Sequence, residues 1–219
     1  MSYRVKEVFA TLQGEGANVG RPAVFCRFTG CNLWTGREEQ RADAICRFCD
    51  TDFVGTDGPG GGTFATAADL ADHVAATWPG GSEAARRPPA GARPLVVCTG
   101  GEPLLQLDVA LVDALHDRGL EVAIETNGTR PVPDGVDWVC VSPKAGAELV
   151  VTTGDELKLV VPQVGAEPDR YVDLDFTHRF LQPMDGADRA GATAWAVAAC
   201  LADPRWRLSV QVHKDLGIP

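Results

Sequence analysis

Short apolar runs of strand character alternate with longer stretches of helical spacing along most of the chain. The strand-like runs are Arg4 to Thr11, Ala23 to Phe28, Leu95 to Cys98, Glu121 to Glu125, Trp138 to Val141, Leu157 to Val161, Phe180 to Gln182 and Arg207 to Val212. Apolar positions recur at helical intervals from Ala67 to Trp78, from Val109 to Arg118 and from Ala192 to Leu201,. Thr66 with Asp69 three residues on predicts a helix start, and Gly119 predicts a helix stop,. Strands that alternate with helices predict right-handed βαβ units and a parallel sheet. A chain of 219 residues fits one domain with one sizeable core, spanning 1–219,.

Two segments interrupt this rhythm. Gly55 to Gly62 holds five glycines and one proline, and Pro79 to Pro94 is rich in Pro, Gly, Ala and Arg. The second is expected to be a mobile surface excursion and not a domain linker, because strand–helix alternation resumes directly after it. The segments that follow the strands say more. Val96-Val-Cys98 runs into Thr99-Gly-Gly-Glu-Pro103, and Val122-Ala-Ile124 into Glu125-Thr-Asn-Gly128. Val139-Cys-Val141 runs into Ser142-Pro-Lys144, and Arg179-Phe-Leu181 into Gln182-Pro-Met-Asp185. Polar, glycine- and proline-bearing residues thus gather at the carboxyl ends of successive strands, the rim where α/β folds bind ligands.

Composition narrows the chemistry. A net charge of −10 argues against a DNA- or RNA-binding surface, which needs clustered Lys and Arg,. The start, Met1-Ser-Tyr-Arg-Val-Lys6, lacks the apolar core of a signal peptide, and no run approaches membrane-spanning length,. Seven cysteines without regular spacing read as reduced thiols of a cytoplasmic protein, not as a disulfide framework,.

Three of those cysteines carry the chemistry. Cys46-Arg-Phe-Cys49 places two thiols on one curved loop, and Cys31 in Gly30-Cys-Asn-Leu33 supplies a third from a separate loop. Zinc and iron–sulfur centres both use such loops, and each normally takes four ligands. Cys98, Cys140 and Cys200 lie far along the chain, and Cys26 sits in an apolar strand. Three thiols without a fourth suggest an iron left open for another molecule. A zinc loop completed by His73, His116, His178 or His213 is the structural alternative. Phe48 beside Cys49 offers a flat face to an adenine, and Asp50-Thr51 offers oxygen ligands of the kind magnesium prefers.

Cys46-x-Phe-Cys49 resembles the end of the radical S-adenosylmethionine (SAM) signature, in which three cysteines hold a 4Fe–4S cluster whose open iron chelates SAM. Thr99-Gly-Gly-Glu-Pro103 resembles that superfamily's second motif, which implies that Gly100, Gly101 and Glu102 receive the methionyl amino group. A narrower resemblance is to the 7-carboxy-7-deazaguanine synthase family of 7-deazapurine (queuosine precursor) biosynthesis. Phe9-Ala-Thr-Leu-Gln-Gly-Glu-Gly16, Gly20-Arg-Pro-Ala23, Arg27, Gly30-Cys-Asn-Leu33, Cys49-Asp-Thr51, Glu125-Thr-Asn-Gly128 and Ser142-Pro-Lys144 carry it. The match is most specific within the first 51 residues. One departure from the superfamily is the spacing of Cys31 and Cys46, with fourteen residues between them where it usually has far fewer. Some members of the synthase family resemble this chain in carrying such an extended loop. It spans about 32–45 here and has to fold back to bring Cys31 near the other two.

The resemblance implies an incomplete, open (β/α) barrel of parallel strands, shorter than eight units, with its site at the carboxyl rim. It implies a ring contraction of 6-carboxy-5,6,7,8-tetrahydropterin with loss of ammonia, driven by one-electron cleavage of SAM. Cys31, Cys46 and Cys49 would hold the cluster and Thr51 a magnesium ion. Phe48, Asp50, Ser142, Pro143, Lys144, Gln182, Pro183, Met184 and Asp185 would line the SAM site. Leu12, Gln13, Gly14, Glu15, Arg27, Thr99 and the terminal carboxylate of Pro219 would face the pterin. A flavodoxin-like electron donor and a homodimer are further implications. Several residues keep a structural alternative. Leu12 to Glu15 also reads as a tight turn, Lys144 as a solvated lysine, and Pro219 as a short free end. Arg27 falls on the strand face opposite Phe28, where an unpaired guanidinium is costly, so it needs a substrate carboxylate or a structural Asp or Glu. The rival functions are another radical SAM enzyme, such as a glycyl-radical activase, and a zinc-stabilised module without catalysis.

Overall fold

The computed structural model describes Ser2–Pro219. Its strands are β1 (Tyr3–Leu12), β2 (Pro22–Phe28), β3 (Gly62–Phe64), β4 (Leu95–Gly100), β5 (Glu121–Thr126), β6 (Trp138–Val141), β7 (Thr153–Val161), β8 (Asp175–Pro183) and β9 (Arg207–Leu208). The helices are α1 (Ala67–Thr77), α2 (Gly81–Arg86), α3 (Val109–His116), α4 (Arg189–Ala202) and α5 (Val212–Leu216). All nine strands join one sheet in the order β3-β1-β2-β4-β5-β6-β7-β8-β9. From β2 to β9 every pairing is parallel and the strands follow chain order, so the sheet winds in one direction without closing. This is the expected open α/β barrel with one amendment. β1 runs antiparallel to both β2 and β3. Only residues 13–21 separate β1 from β2, too few for the crossover a parallel pair requires,.

Alternation along the strands divides the residues between two faces. Val24, Cys26, Phe28, Val96, Cys98, Val122 and Ile124 pack under α1 and α3. Val141, Leu157, Leu159 and Val161 pack with Ala196 of α4. The intervening residues Ala23, Leu95, Val97 and Ala123 fill the lower part of the inner face with Phe25 and Trp138. The same alternation carried to the strand ends turns Arg27, Thr99, Glu125 and Lys158 into the cavity described below,.

The helix boundaries follow local chemistry. Thr66 Oγ1 accepts from Asp69 N at 3.1 Å while Asp69 Oδ2 accepts from Thr66 N at 3.0 Å, a reciprocal cap on α1,. Gly119 takes φ +81 after α3, a left-handed conformation that glycine adopts without a Cβ clash,. Two expectations need correction. Arg207 to Val212 is not one strand, because only Arg207 and Leu208 pair with β8. Beyond them Ser209 Oγ turns to Gln182 and the Val212 N–H donates to Gly14 O at 3.0 Å, which lifts the chain off the sheet into α5. Pro79 to Pro94 is not loop throughout, since it contains α2, whose Ala85 is fully buried in the core with α1 and α3. Among the described residues no helix is long and apolar enough to cross a membrane.

Leu159 is fully buried, whereas Leu201 on α4 is 82% exposed. Leu159→Ala is expected to lower the unfolding free energy by about 2–5 kcal/mol and Leu201→Ala by less than about 0.5 kcal/mol, read from denaturant midpoints.

Candidate functional site

A cavity of about 420 Å³ opens at the carboxyl rim and is lined by Cys31, Cys46 and Cys49 together with Phe48, Asp50 and Thr51. Residues 32–45, which separate the first two cysteines, form a small folded unit. Trp34 meets Phe53 edge-on at 5.6 Å, the Arg41 guanidinium lies 4.1 Å from the Trp34 ring, and Ala44 completes the cluster. Arg41 Nη1 donates to the carbonyls of Arg47 and Cys49 at 2.9 and 3.1 Å, and Ile45 N donates to Leu33 O at 3.1 Å. These contacts turn the long interval back on itself and bring Cys31 to the same cavity as the Cys46–Cys49 loop. The Cys46 and Cys49 thiols sit close enough to interact through one proton, which lowers the pKa of Cys49 and raises that of Cys46. Among the described residues no three His, Cys, Asp or Glu converge on a single ion.

Thr99, Gly100 and Gly101 also line the cavity, where β4 ends against the Cys31 loop. A Cβ on Gly101 would lie 2.0 Å from Gly30 O, and one on Gly100, at φ +130, would lie 2.3 Å from Phe28 O. Only glycine permits that approach. Glu102 does not reach the cavity: it is fully buried behind it. Its carboxylate accepts from Thr126 Oγ1 at 2.7 Å, Asn127 N at 2.8 Å and Leu104 N at 3.0 Å. Burial raises its pKa, against those three donors. Asn127 Nδ2 in turn donates to Asn32 Oδ1 at 3.1 Å, next to Cys31. The Glu102 side chain therefore fixes the turn that faces the cysteines.

Five cations, Lys6, Arg27, Lys144, Lys158 and Lys214, line the cavity of a chain whose net charge is −10. Lys144 Nζ donates to Ser142 O at 2.6 Å and to Ser142 Oγ at 2.7 Å, with the Phe48 ring 6.0 Å away. It makes no ion pair with a carboxylate of the described residues, and desolvation lowers its pKa despite the nearby Cys46 and Cys49. It is a cation in want of an anion. Lys214 of α5 bridges Asp50 at 2.7 Å and Asp185 at 2.6 Å, which ties the cysteine loop to the end of β8. Gln182 and Pro183 line the cavity beside Asp185. Pro143 is buried, and the Met184 N–H donates to Val161 O at 2.7 Å; neither lines the cavity.

Leu12 to Glu15 is not a tight turn: Leu12 ends β1, Gln13 N still donates to Arg21 O at 2.8 Å, and Glu15 is extended, so the chain reverses only beyond these residues, all four of which line the cavity. Lys158, 3% exposed, lies 2.6 Å from Glu15 Oε2 and 2.5 Å from Glu125 Oε2. Gln13 Nε2 donates to Glu125 Oε1 at 3.2 Å, and Gln211 Nε2 to Glu15 Oε1 at 3.0 Å. Burial would raise Glu15, but the charge and hydrogen bond of Lys158 overcome it and hold this carboxyl well below the usual range. Gly14 leaves room for His213, because a Cβ there would sit 2.2 Å from its Nδ1. Pro219 reaches the same cavity, where its carbonyl accepts from Thr11 Oγ1 at 2.9 Å. Arg27 already has a carboxylate, since its Nε donates to Glu7 Oε1 at 2.7 Å, and it leaves its terminal nitrogens for the cavity.

No family model matches the chain. It is 62% identical over 219 residues to the 7-carboxy-7-deazaguanine synthase of Caulobacter vibrioides and 63% identical over 219 residues to that of Bordetella pertussis, with 100% of this chain and of each relative covered. The chain belongs to the 7-carboxy-7-deazaguanine synthase family. It is also similar to the crystal structure of QueE from Escherichia coli, with a TM-score of 0.67, 30% identity, and coverage of 97% of this chain and 95% of that one.

Membership places family motifs on this geometry and leaves several cavity residues outside them. Lys158, Lys214, Gln211 and Lys6 are absent from the motif-based expectation. The signal that singled out Arg27, a charged residue inside an apolar strand, applies equally to Lys158 in Leu157-Lys158-Leu159. Lys6, 9% exposed, pairs with Asp52 at 2.8 Å and Asp57 at 2.9 Å and anchors the segment after the cysteines to β1. Nothing local in the sequence marks that pairing.

Trp34→Ala removes the centre of the cysteine-loop unit. Tryptic cleavage at Arg37, Arg41 or Arg47 is expected to accelerate at least about tenfold, while the global unfolding midpoint moves little, because the unit is a satellite of the main core. Acid stability gives a second measurement. Glu15 is depressed in the fold, so it contributes stability present above its unfolded pKa and lost as pH falls from about 4.3 through its folded value,. Glu15→Gln is therefore expected to flatten the decline in unfolding free energy below about pH 4.3.

Proposed function

We propose that the chain catalyses the ring contraction of 6-carboxy-5,6,7,8-tetrahydropterin to 7-carboxy-7-deazaguanine with loss of ammonia, as a radical SAM carbon–nitrogen lyase of 7-deazapurine biosynthesis. One observation carries this reading: a single cavity is lined by three thiols, a Gly-Gly turn and a polar segment suited to a heterocycle edge. The donor set fits the family's 4Fe–4S cluster, SAM and magnesium. Three thiolates match a cluster with one open iron, and the unpaired Lys144 ammonium suits their combined negative charge,. When bound, the cluster and SAM supply a one-electron bond cleavage and a radical that takes hydrogen from the substrate.

The chain's own residues do the binding and orienting. Cys31, Cys46 and Cys49 are the cluster ligands. Gly100 and Gly101, held against the cysteine loop by their missing side chains, present backbone to the methionyl group. Ser142 and Lys144 meet its carboxylate or ribose, Phe48 stacks on the adenine, and Gln182, Pro183 and Asp185 meet the adenine edge. Thr51 beside Asp50 would hold magnesium through oxygen ligands, and the ion would supply positive charge for the substrate carboxylate. Arg27, already aligned by Glu7, directs its free N–H groups to that carboxylate,. Gln13 and Glu15 offer acceptors to the pterin ring, and Pro219 lies against the same cavity. Cytoplasmic residence, a flavodoxin-like donor and a homodimer complete the reading.

Anaerobic reconstitution with iron and sulfide, followed by SAM, dithionite, magnesium and 6-carboxytetrahydropterin, tests it by mass spectrometry. The expected product is lighter by one ammonia, with SAM largely unconsumed. Cleavage of SAM with the pterin untouched would discard the substrate, and bound zinc without cleavage would discard the chemistry. Cys46→Ser is expected to abolish cluster absorbance and all SAM cleavage; full iron content and colour in that variant would contradict the ligand set.

A further inference from the structure

Lys158 stands between two carboxylates that come from distant parts of the chain. Glu15 lies on the loop after β1, Glu125 at the end of β5, and Lys158 within β7. All three line the cavity. The Nζ distances of 2.6 Å to Glu15 and 2.5 Å to Glu125 make one buried ammonium the common partner of both. Gln211 and Gln13 each donate once to the remaining oxygens, at 3.0 and 3.2 Å. Glu125 also accepts from Cys140 Sγ at 3.6 Å. A carboxylate has about four acceptor sites, so Glu15 with two of these hydrogen bonds and Glu125 with three both keep acceptor capacity,. Their side chains are 16% and 20% exposed. The other titratable groups that face the ammonium are Cys140 on β6 and Glu156 on β7, with Lys144 after β6 within its field. Glu156 is occupied elsewhere, accepting from Ala17 N at 3.1 Å.

We propose that Lys158 is a positioning residue for substrate recognition: it holds Glu15 and Glu125 together as paired acceptors for the N–H edge of a 2-amino-4-oxo ring. The inference rests on the pterin reading above and states which edge of the ring is read and by what device. A 2-amino-4-oxo ring presents a ring N–H and an exocyclic amino group side by side, the donor pattern a carboxylate accepts in two parallel bonds. A 2,4-dioxo ring replaces the amino group by a carbonyl and turns an acceptor toward an acceptor. A site built to hydrogen-bond one group rejects the analogue lacking it by as much as about 10⁴-fold. Without the ammonium, two poorly solvated carboxylates face each other, and one takes up a proton and ceases to accept.

The test compares dissociation constants of 6-carboxypterin and 6-carboxylumazine by equilibrium dialysis, using protein reconstituted with iron and sulfide in the presence of SAM and magnesium. The unaltered enzyme is expected to prefer the pterin by at least about 100-fold. Lys158→Met is expected to shrink that preference to within about tenfold, and Lys158→Arg, which keeps the charge, to retain most of it. Pterin affinity of Lys158→Met is expected to rise between about pH 5.5 and about pH 7.5, because deprotonation restores the acceptor, while the unaltered enzyme stays flat. If Lys158→Met does not fold, Lys158→Gln, which keeps a donor between the two carboxylates but removes the charge, carries the same comparison. A full preference and a flat pH profile in the variant that folds overturn the positioning role. So does an equal loss of affinity for both rings, which is what a structural role alone predicts. An unaltered enzyme that binds neither ring overturns the pterin reading and this inference with it.

Discussion

One buried ammonium organises the mouth of this barrel. Lys158 pairs with Glu15 and Glu125 and so pins the loop after β1 to two strands across the sheet. That loop in turn holds the end of the chain: Gly14 O accepts from Val212 N, Glu15 accepts from Gln211, and the bare face of Gly14 makes room for His213. Removing one member of such a buried set strands a charge and costs about 3–5 kcal/mol, far more than any exposed pair on this surface. An arrangement so expensive to break, in a cavity and not in the core, is better explained by what it presents than by what it stabilises.

The cysteine side of the cavity is built on a different principle. Its long interval between Cys31 and Cys46 is organised by a small aromatic cluster and by one arginine that stacks on Trp34 and bonds two carbonyls. The Gly100–Gly101 turn approaches that loop so closely that no side chain fits between them. Lys214 then links the loop to the end of β8 through two partly exposed ion pairs. Rigid backbone contact thus sets the thiols against the Gly-Gly turn. Softer, screened charges connect them to the chain terminus.

What the sequence made legible was local. The cap at Thr66 and the stop at Gly119 each depend on residues a few positions apart, and both appear as read. Val212 was read as strand because its apolar neighbours alternate, yet a single long-range bond to Gly14 O draws it into α5. Strand–helix alternation says nothing about β1, an antiparallel strand whose connection lacks a helix. Arg27 was flagged by its apolar surroundings, but its partner Glu7, on the neighbouring strand, follows only from the register of β1 with β2. Lys158 carried the same flag. Its two partners lie 143 and 33 residues away in sequence, and no spacing rule links positions so far apart.

The openness of the sheet bears on all of this. In a closed eight-stranded barrel the interior is filled by layers of side chains, which leaves the site to the loops above. Here the inner face carries an apolar layer only at its lower end, from Ala23, Leu95, Val97 and Ala123. One step higher the strands contribute Arg27, Thr99, Glu125 and Lys158 directly to the cavity. Charged side chains on strands have fewer ways to move than the same side chains on loops, because hydrogen-bonded neighbours hold the backbone on both sides. The unclosed sheet therefore places Arg27, Thr99, Glu125 and Lys158 on the most rigid part of the molecule and leaves the three thiols to loops packed against it. That division gives the cavity a floor held by the sheet and a mouth built from packed loops.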